Sequence, residues 1–245
     1  MRLRRFGHTV RKADALTALL VAAAVAVYAA RTARSPQPLE TPFGRPLPAA
    51  LAQRLDALGA GHSLGDARAP VRVVELADYE CGACAAAHDS IWPWMEPLVR
   101  EGRVRYTVYH YPLPTHERAI PAATVLECAA GDGAGFWTLR SALLARQAEW
   151  APPPEGAAVE GERAGAAPAD PIPALLAIAE GTGADPAQTR DCLARRGDTL
   201  RRDLAAASAA VQEAGLTFTP VYAVDGEIVF WGELRERLED LLGAR

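Results

Sequence analysis

Residues 71–84 read VRVVELADYECGAC, and the order of residue types in this stretch decides the fold. Its first seven residues, VRVVELA, form a β-branched run with the length and composition of a buried strand. Cys81-Gly82-Ala83-Cys84 follows almost at once, and from there the chain turns Ala-rich (CAAAHDSIW, 84–92), which favours a helix. A Cys-X-X-Cys at a strand-to-helix junction puts the first cysteine at the helix start and the second one turn inside. Unpaired N–H groups and the helix dipole favour a thiolate at the first position, making it the better attacking and leaving group in thiol exchange. Cys81 is therefore expected to be the nucleophile and Cys84 the resolving thiol. The same spacing also serves zinc, but zinc sites usually take four ligands, and the sequence holds no second Cys-X-X-Cys and no His-X3-His. No metal is expected. His88 would stand roughly 10 Å up the helix from Cys81 at about 1.5 Å per residue, and is expected on the surface.

Downstream, Ile91, Trp92, Met95 and Leu98 share one helical face, and Pro93 and Pro97 are expected to kink or shorten that helix. Arg103–Tyr111 alternates as a second strand would. Segments 117–130, 133–148, 173–181 and 186–214 have helix-forming composition, with breaks at 131–135 and 151–171; the second break is rich in Pro, Gly and Ala and reads as a surface insertion. Val221–Phe230 forms two short apolar runs about Asp225-Gly226, the signal of a type I′ hairpin. Leu234–Leu242 closes the chain as an amphipathic helix. Trp92 and Trp94 either border a groove or pack in the core, with the core favoured, and Phe136 and Trp137 read as packing residues.

At 245 residues the chain holds one to two domains, and 50% apolar with 23% charged residues excludes a collagenous, disulfide-dense or disordered class. The balance gives no support to nucleic-acid binding. The net charge of −4 is unevenly spread: residues 1–34 carry seven basic residues and one acid, net +6, which leaves −10 on the rest. Arg2, Arg4, Arg5, Arg11 and Lys12 precede the uncharged run Leu16–Ala30, the layout of an export signal or membrane anchor. An uncleaved anchor with its amino terminus in the cytoplasm is favoured over a signal cleaved after Ala29. Residues 35–50, rich in proline, read as a tether, so the folded domain is expected over 51–245. Beyond a membrane the compartment is usually oxidising, and four cysteines there suggest disulfides.

The stretches HSLGDARAPVRVVELADYECGAC, RVRYTVYHYPLPTHERAIPAATVLECAA, GAGFWTLRSALLARQ and GLTFTPVYAVDGEIVFWG, in that order, resemble the DsbA-like thiol-disulfide oxidoreductases. The resemblance covers about residues 62–242. It implies an α/β, thioredoxin-like fold with a four- or five-stranded sheet, a helical domain inserted at about 115–213, and an exported location. By the same resemblance Cys81 and Cys84 are the redox pair. Thr219-Pro220 is the cis-proline loop that packs on the pair and offers backbone groups to an extended substrate. Glu75 is the buried acid suited to take the proton from Cys84. Cys128 and Cys192 match a structural disulfide of some relatives; closing 64 residues would stabilise the fold by about 4 kcal/mol on a loop-entropy model. The alternative is two buried, unpaired thiols. His116 matches a recurrent position without an assigned role.

Strongly oxidising members carry a histidine inside the motif where this chain has Ala83. Asp78 and Glu80 also precede Cys81, and their charge is expected to raise its pKa and weaken the oxidant. The leading reading is an enzyme that introduces disulfides into exported thiol-bearing proteins. A membrane quinone-linked reoxidase, DsbB-like or VKOR-like, is implied as electron acceptor, since no haem, flavin or nucleotide motif exists. A reductase or isomerase served by a membrane reductant is the alternative, and a non-catalytic peptide-binding module the third.

Overall fold

The protein is described by a computed structural model over residues 41–130, 133–152 and 168–243. The expected anchor, its cleavage site and most of the Pro/Gly/Ala-rich break at 151–171 lie outside the described residues. Among the described residues no helix is long and apolar enough to cross a membrane.

The elements are α1 (Ala49–Ala57), β1 (Gly61–Leu64), β2 (Val71–Ala77), α2 (Gly82–Arg100), β3 (Val104–His110), α3 (Ala119–Ala129), α4 (Ala134–Ala145), α5 (Ile172–Gly181), α6 (Pro186–Glu213), β4 (Val221–Val224), β5 (Glu227–Val229) and α7 (Leu234–Gly243). The strands form one sheet in the order β1-β3-β2-β4-β5, with β2 and β3 parallel and the other pairs antiparallel. The VRVVELA run is its centre: Glu75 faces Val108 on one side and Tyr222 on the other. Both faces of the sheet are covered. One packs Val73, Tyr106 and Tyr222 against Ile91 and Met95 of α2, Leu238 of α7 and the insertion helices. The other packs Leu76, Val221 and Ile228 against Leu51 and Leu55 of α1 and Ala207 and Val211 of α6.

Helix α2 runs through both prolines, contrary to expectation. Each proline costs about 3 kcal/mol in a helix interior. Ile91, Met95 and Val99 lie fully under the sheet, and burial contributes about 1.5–3 kcal/mol for each such side chain. Packing outweighs the lost N–H donors, and the exposed Pro93 ring meets solvent rather than the core.

The expected tether is corrected over its last residues, which belong to the domain. Gly44 and Leu47 donate backbone hydrogen bonds to the carbonyls of Ile228 (2.8 Å) and Gly226 (2.7 Å), and Ile228 donates to Arg45 (2.8 Å). Phe43 packs edge-on against Phe218 and Phe230. A segment on a sheet edge uses only alternate N–H groups, so Pro42, Pro46 and Pro48 are tolerated there, and the segment covers the otherwise open edge of β5. Strand β1, too short for a periodic signal, is also absent from the sequence reading. The hairpin forms as expected, with φ of 47° at Asp225 and 88° at Gly226, the two positive values a type I′ turn requires.

The helical block α3–α6 fills the chain between β3 and β4. Cys128 of α3 and Cys192 of α6 are bonded, with Cα atoms 5.4 Å apart.

Candidate active site at the sheet-helix junction

Cys81 occupies the N-cap of α2 in extended conformation (φ −71°, ψ 117°), half-buried. The amides of Cys84 and Ala85 close the first turn onto its carbonyl at 3.0 and 3.2 Å. Cys84, one turn on, is completely buried, and its sulfur accepts the Asp78 amide at 3.5 Å. Both cysteines are thiols in this structure. The Cys81 thiol points at the carbonyl of Thr219, 3.6 Å away, and the Thr219–Pro220 peptide is cis. Sheet register makes this meeting: Val221 pairs with Leu76 of β2, so the loop entering β4 arrives beside the loop leaving β2.

The two sulfurs differ electrically. Hydrogen bonding from Cys84 leads in lowering the Cys81 pKa to about 6, against the opposing effect of burial and with help from Thr219 and the helix-start amides of Cys84 and Ala83. Burial, reinforced by the neighbouring Cys81, pushes Cys84 well above the ordinary thiol value.

The expected net rise at Cys81 from Asp78 and Glu80 is corrected, because its pKa is lowered overall by other groups, while both carboxylates accept hydrogen bonds away from the thiol. Asp78, fully buried, accepts the Glu80 amide at 2.8 Å on Oδ1, and on Oδ2 the Leu113 amide and His116 Nδ1, both at 2.7 Å. Glu80 Oε2 accepts the Arg118 amide at 2.6 Å. Gln147 donates to the Tyr79 carbonyl at 2.7 Å. The loop before Cys81 is thus held by the chain following β3 and by the short segment after α4. The bond to Asp78 pushes the His116 pKa up. His116, without a role in the sequence reading, anchors this loop.

Glu75 is buried as expected, but its surroundings are not apolar. Tyr106 Oη and an Arg140 guanidinium nitrogen each donate to Oε2 at 2.5 Å, while Oε1 has no partner. Arg140, fully buried on α4, also donates to His88 Nδ1 at 2.9 Å. His88 is corrected from surface to core: it is 6% exposed, and burial, then the Arg140 charge, push its pKa down to about 3. The spacing Cys84, His88, Ile91, Met95 was a usable signal, since it places His88 on the face that carries the buried thiol. Arg140 had no such signal. Trp92 stacks on Trp137 at 5.7 Å, inside the packing between α2 and α4, whereas Trp94 lies under the Arg235 guanidinium at 4.7 Å.

The thioredoxin family model matches residues 57–244. Among solved structures, oxidised BdbD from Bacillus subtilis is 22% identical, covers 76% of this chain and 95% of its own, and has a TM-score of 0.57. Wolbachia pipientis α-DsbA1 is 17% identical over 75% of this chain and 92% of its own, with a TM-score of 0.58. A protein-disulfide isomerase from Novosphingobium aromaticivorans is 22% identical over 75% and 97%, at 0.56. Among curated sequences, the Na(+)/H(+) antiporter NhaA 3 of Salinispora tropica is 44% identical over 92 residues, which are 37% of this chain and 14% of that protein. The chain therefore spans about a seventh of the length of the curated relatives it matches. With the family match covering most of its length and a Cys-X-X-Cys at the junction of β2 and α2, the chain shares the fold of these solved structures and belongs to the thioredoxin family.

Proposed function

We propose that the chain introduces disulfides into exported proteins through Cys81 and Cys84. The observation that carries this reading is the electrical asymmetry of the pair: a half-buried thiol lowered to about 6 beside a fully buried thiol raised far above it. In the oxidised protein a substrate thiolate attacks the Cys81 sulfur, the Cys81–Cys84 bond breaks, and a substrate–Cys81 mixed disulfide forms. Cys84 leaves as a thiolate in a site that disfavours the charge, so it takes up a proton that comes from solvent; the Glu75 carboxylate, with Oε1 unpartnered, would accept that proton and pass it on to the sulfur. The second substrate thiolate then attacks the substrate's own bonded sulfur and expels Cys81, a good leaving group because its thiolate is stabilised. The substrate loses two electrons and the pair gains them. Thr219 and Pro220 are assigned to substrate binding, with backbone groups beside Cys81 available to an extended peptide. The Cys128–Cys192 bond is assigned to holding α3 and α6 together.

The location we assign is extracytoplasmic, with residues 1–34 as anchor or signal, and reoxidation is assigned to a membrane quinone-linked partner. A reductase or isomerase kept reduced by a membrane partner is the second reading. Ala83 favours it: no charge inside the motif adds to the stabilisation of the Cys81 thiolate. Mixing the oxidised chain with a reduced, unfolded dithiol substrate separates the two. The proposal expects stoichiometric disulfide transfer, lost in Cys81→Ser. Failure to transfer, with the reduced chain instead cleaving insulin disulfides, would reverse the direction.

A further inference from the structure

Three side chains from three separate elements converge on one point away from the redox pair. His62 of β1 and His110 at the end of β3 both direct Nε2 at Glu127 Oε1 of α3, at 2.5 and 2.6 Å. The three atoms lie within 4.8 Å of one another. The rings are held in place: His62 stacks on Phe136 at 3.7 Å, and His110 meets Phe136 edge-on and Tyr79 at a tilt. His110 is closed off from solvent, whereas the His62 side chain keeps 24% of its surface exposed, which leaves one side of the point open.

We propose that His62, His110 and Glu127 form a binding site for a first-row divalent transition cation of the zinc class, with its fourth position open to water. Two imidazole nitrogens and one carboxylate oxygen are a zinc donor set, and the mixed nitrogen content disfavours calcium and magnesium, which take oxygen. Bonds of about 2.0–2.2 Å in tetrahedral geometry place ligand atoms roughly 3.3 Å apart, so the two nitrogen–oxygen separations need to open by less than about 1 Å, and the nitrogens already lie within 4.8 Å of each other. A displacement of the Glu127 carboxylate away from the two rings would supply that. The site would join the edge of the sheet to the helical block beside the bonded Cys128. Its link to the redox pair is short, because His110 pairs with Ala77, the residue before Asp78. Spacing in the sequence gives no hint of it, since the ligands stand 48 and 17 residues apart and only the fold unites them.

The test uses the full chain with Cys81 and Cys84 oxidised, because the reduced pair would itself hold zinc. After stripping with a chelator and dialysis, zinc binding is measured by equilibrium dialysis, and cobalt replaces zinc for absorption spectroscopy. The expected result is one equivalent of zinc, a tetrahedral cobalt spectrum lacking a thiolate charge-transfer band, and at least about tenfold weaker binding in His62→Ala and in Glu127→Gln. Absence of stoichiometric zinc at large excess, or equal binding by the folded variants, overturns the proposal. If either variant fails to fold, the cobalt spectrum of the unsubstituted chain decides: no tetrahedral nitrogen/oxygen signature overturns the site.

Discussion

Arg140 and Glu75 form a buried ion pair beneath Cys81 and Cys84, both fully enclosed, and the Glu75 charge adds to burial in raising the Cys84 pKa. Removing one member of such a pair leaves the other charged and unpaired, which costs about 3–5 kcal/mol, whereas replacing both can be neutral. Arg140→Met is therefore expected to lower urea stability by that amount, and the double variant with Glu75→Gln to recover most of it; equal loss in both would show that the guanidinium acts through packing alone. The acid was readable through the family resemblance, which expects a buried carboxyl at this place in the strand. Its partner was not, because an arginine 65 residues away on an amphipathic segment reads as a solvated residue until the fold encloses it. At Cys81 the sign of the pH dependence follows from a depressed pKa. In the reduced protein its thiolate contributes stability that is fully present above the ordinary value of 9.0 and is lost as pH falls through about 6. Cys84, pushed the other way, resists ionisation through that window. Alkylation of Cys81 followed by peptide mass mapping is expected to show a rate midpoint near pH 6; a midpoint in the ordinary thiol range would remove the basis for its leaving-group role.

The elements divide the labour between the sheet, which delivers the pair and the cis-proline loop to one place, and the segments after β3 and α4, which hold the loop before Cys81. Asp78 accepts three hydrogen bonds there, two of them from the chain after β3. Asp78→Ala orphans those donors, at about 1–3 kcal/mol for each one that stays buried, and is expected to lower the melting temperature while slowing disulfide transfer. The helical block carries its own staple. Cys128→Ala with Cys192→Ala is expected to cost up to about 4 kcal/mol, because the bond closes a 64-residue loop, and to leave thiol exchange at Cys81 in place; calorimetry and the transfer assay read the two effects separately. At this scale the local pattern served for β3, for the Asp225-Gly226 hairpin through its turn residues, and for the existence of α2 though not for its passage through two prolines. It missed β1 and the edge segment at 43–47, whose backbone pairing depends on partners far along the chain. Proline content suggested a tether there, since composition records a residue's lost N–H but not whether the edge position needed one.

For the whole molecule, the order of motifs along the chain conveyed the topology: strand, cysteine pair, helix, strand, helical block, hairpin, helix. The sequence did not convey the strength of the oxidant, because that depends on where carboxylates point. Asp78 and Glu80, close to Cys81 in sequence, accept hydrogen bonds from amides and His116, and the groups that lower the Cys81 pKa are Cys84 and Thr219. A thiolate stabilised to about 6 favours the reduced pair relative to an ordinary thiol, and the proposed direction of exchange turns on how far. Equilibrating the full chain against glutathione mixtures gives its reduction potential. A value between about −120 and about −200 mV is expected if the pair donates disulfides; a value near about −270 mV, or a bond resisting reduction below about −300 mV, would contradict that role.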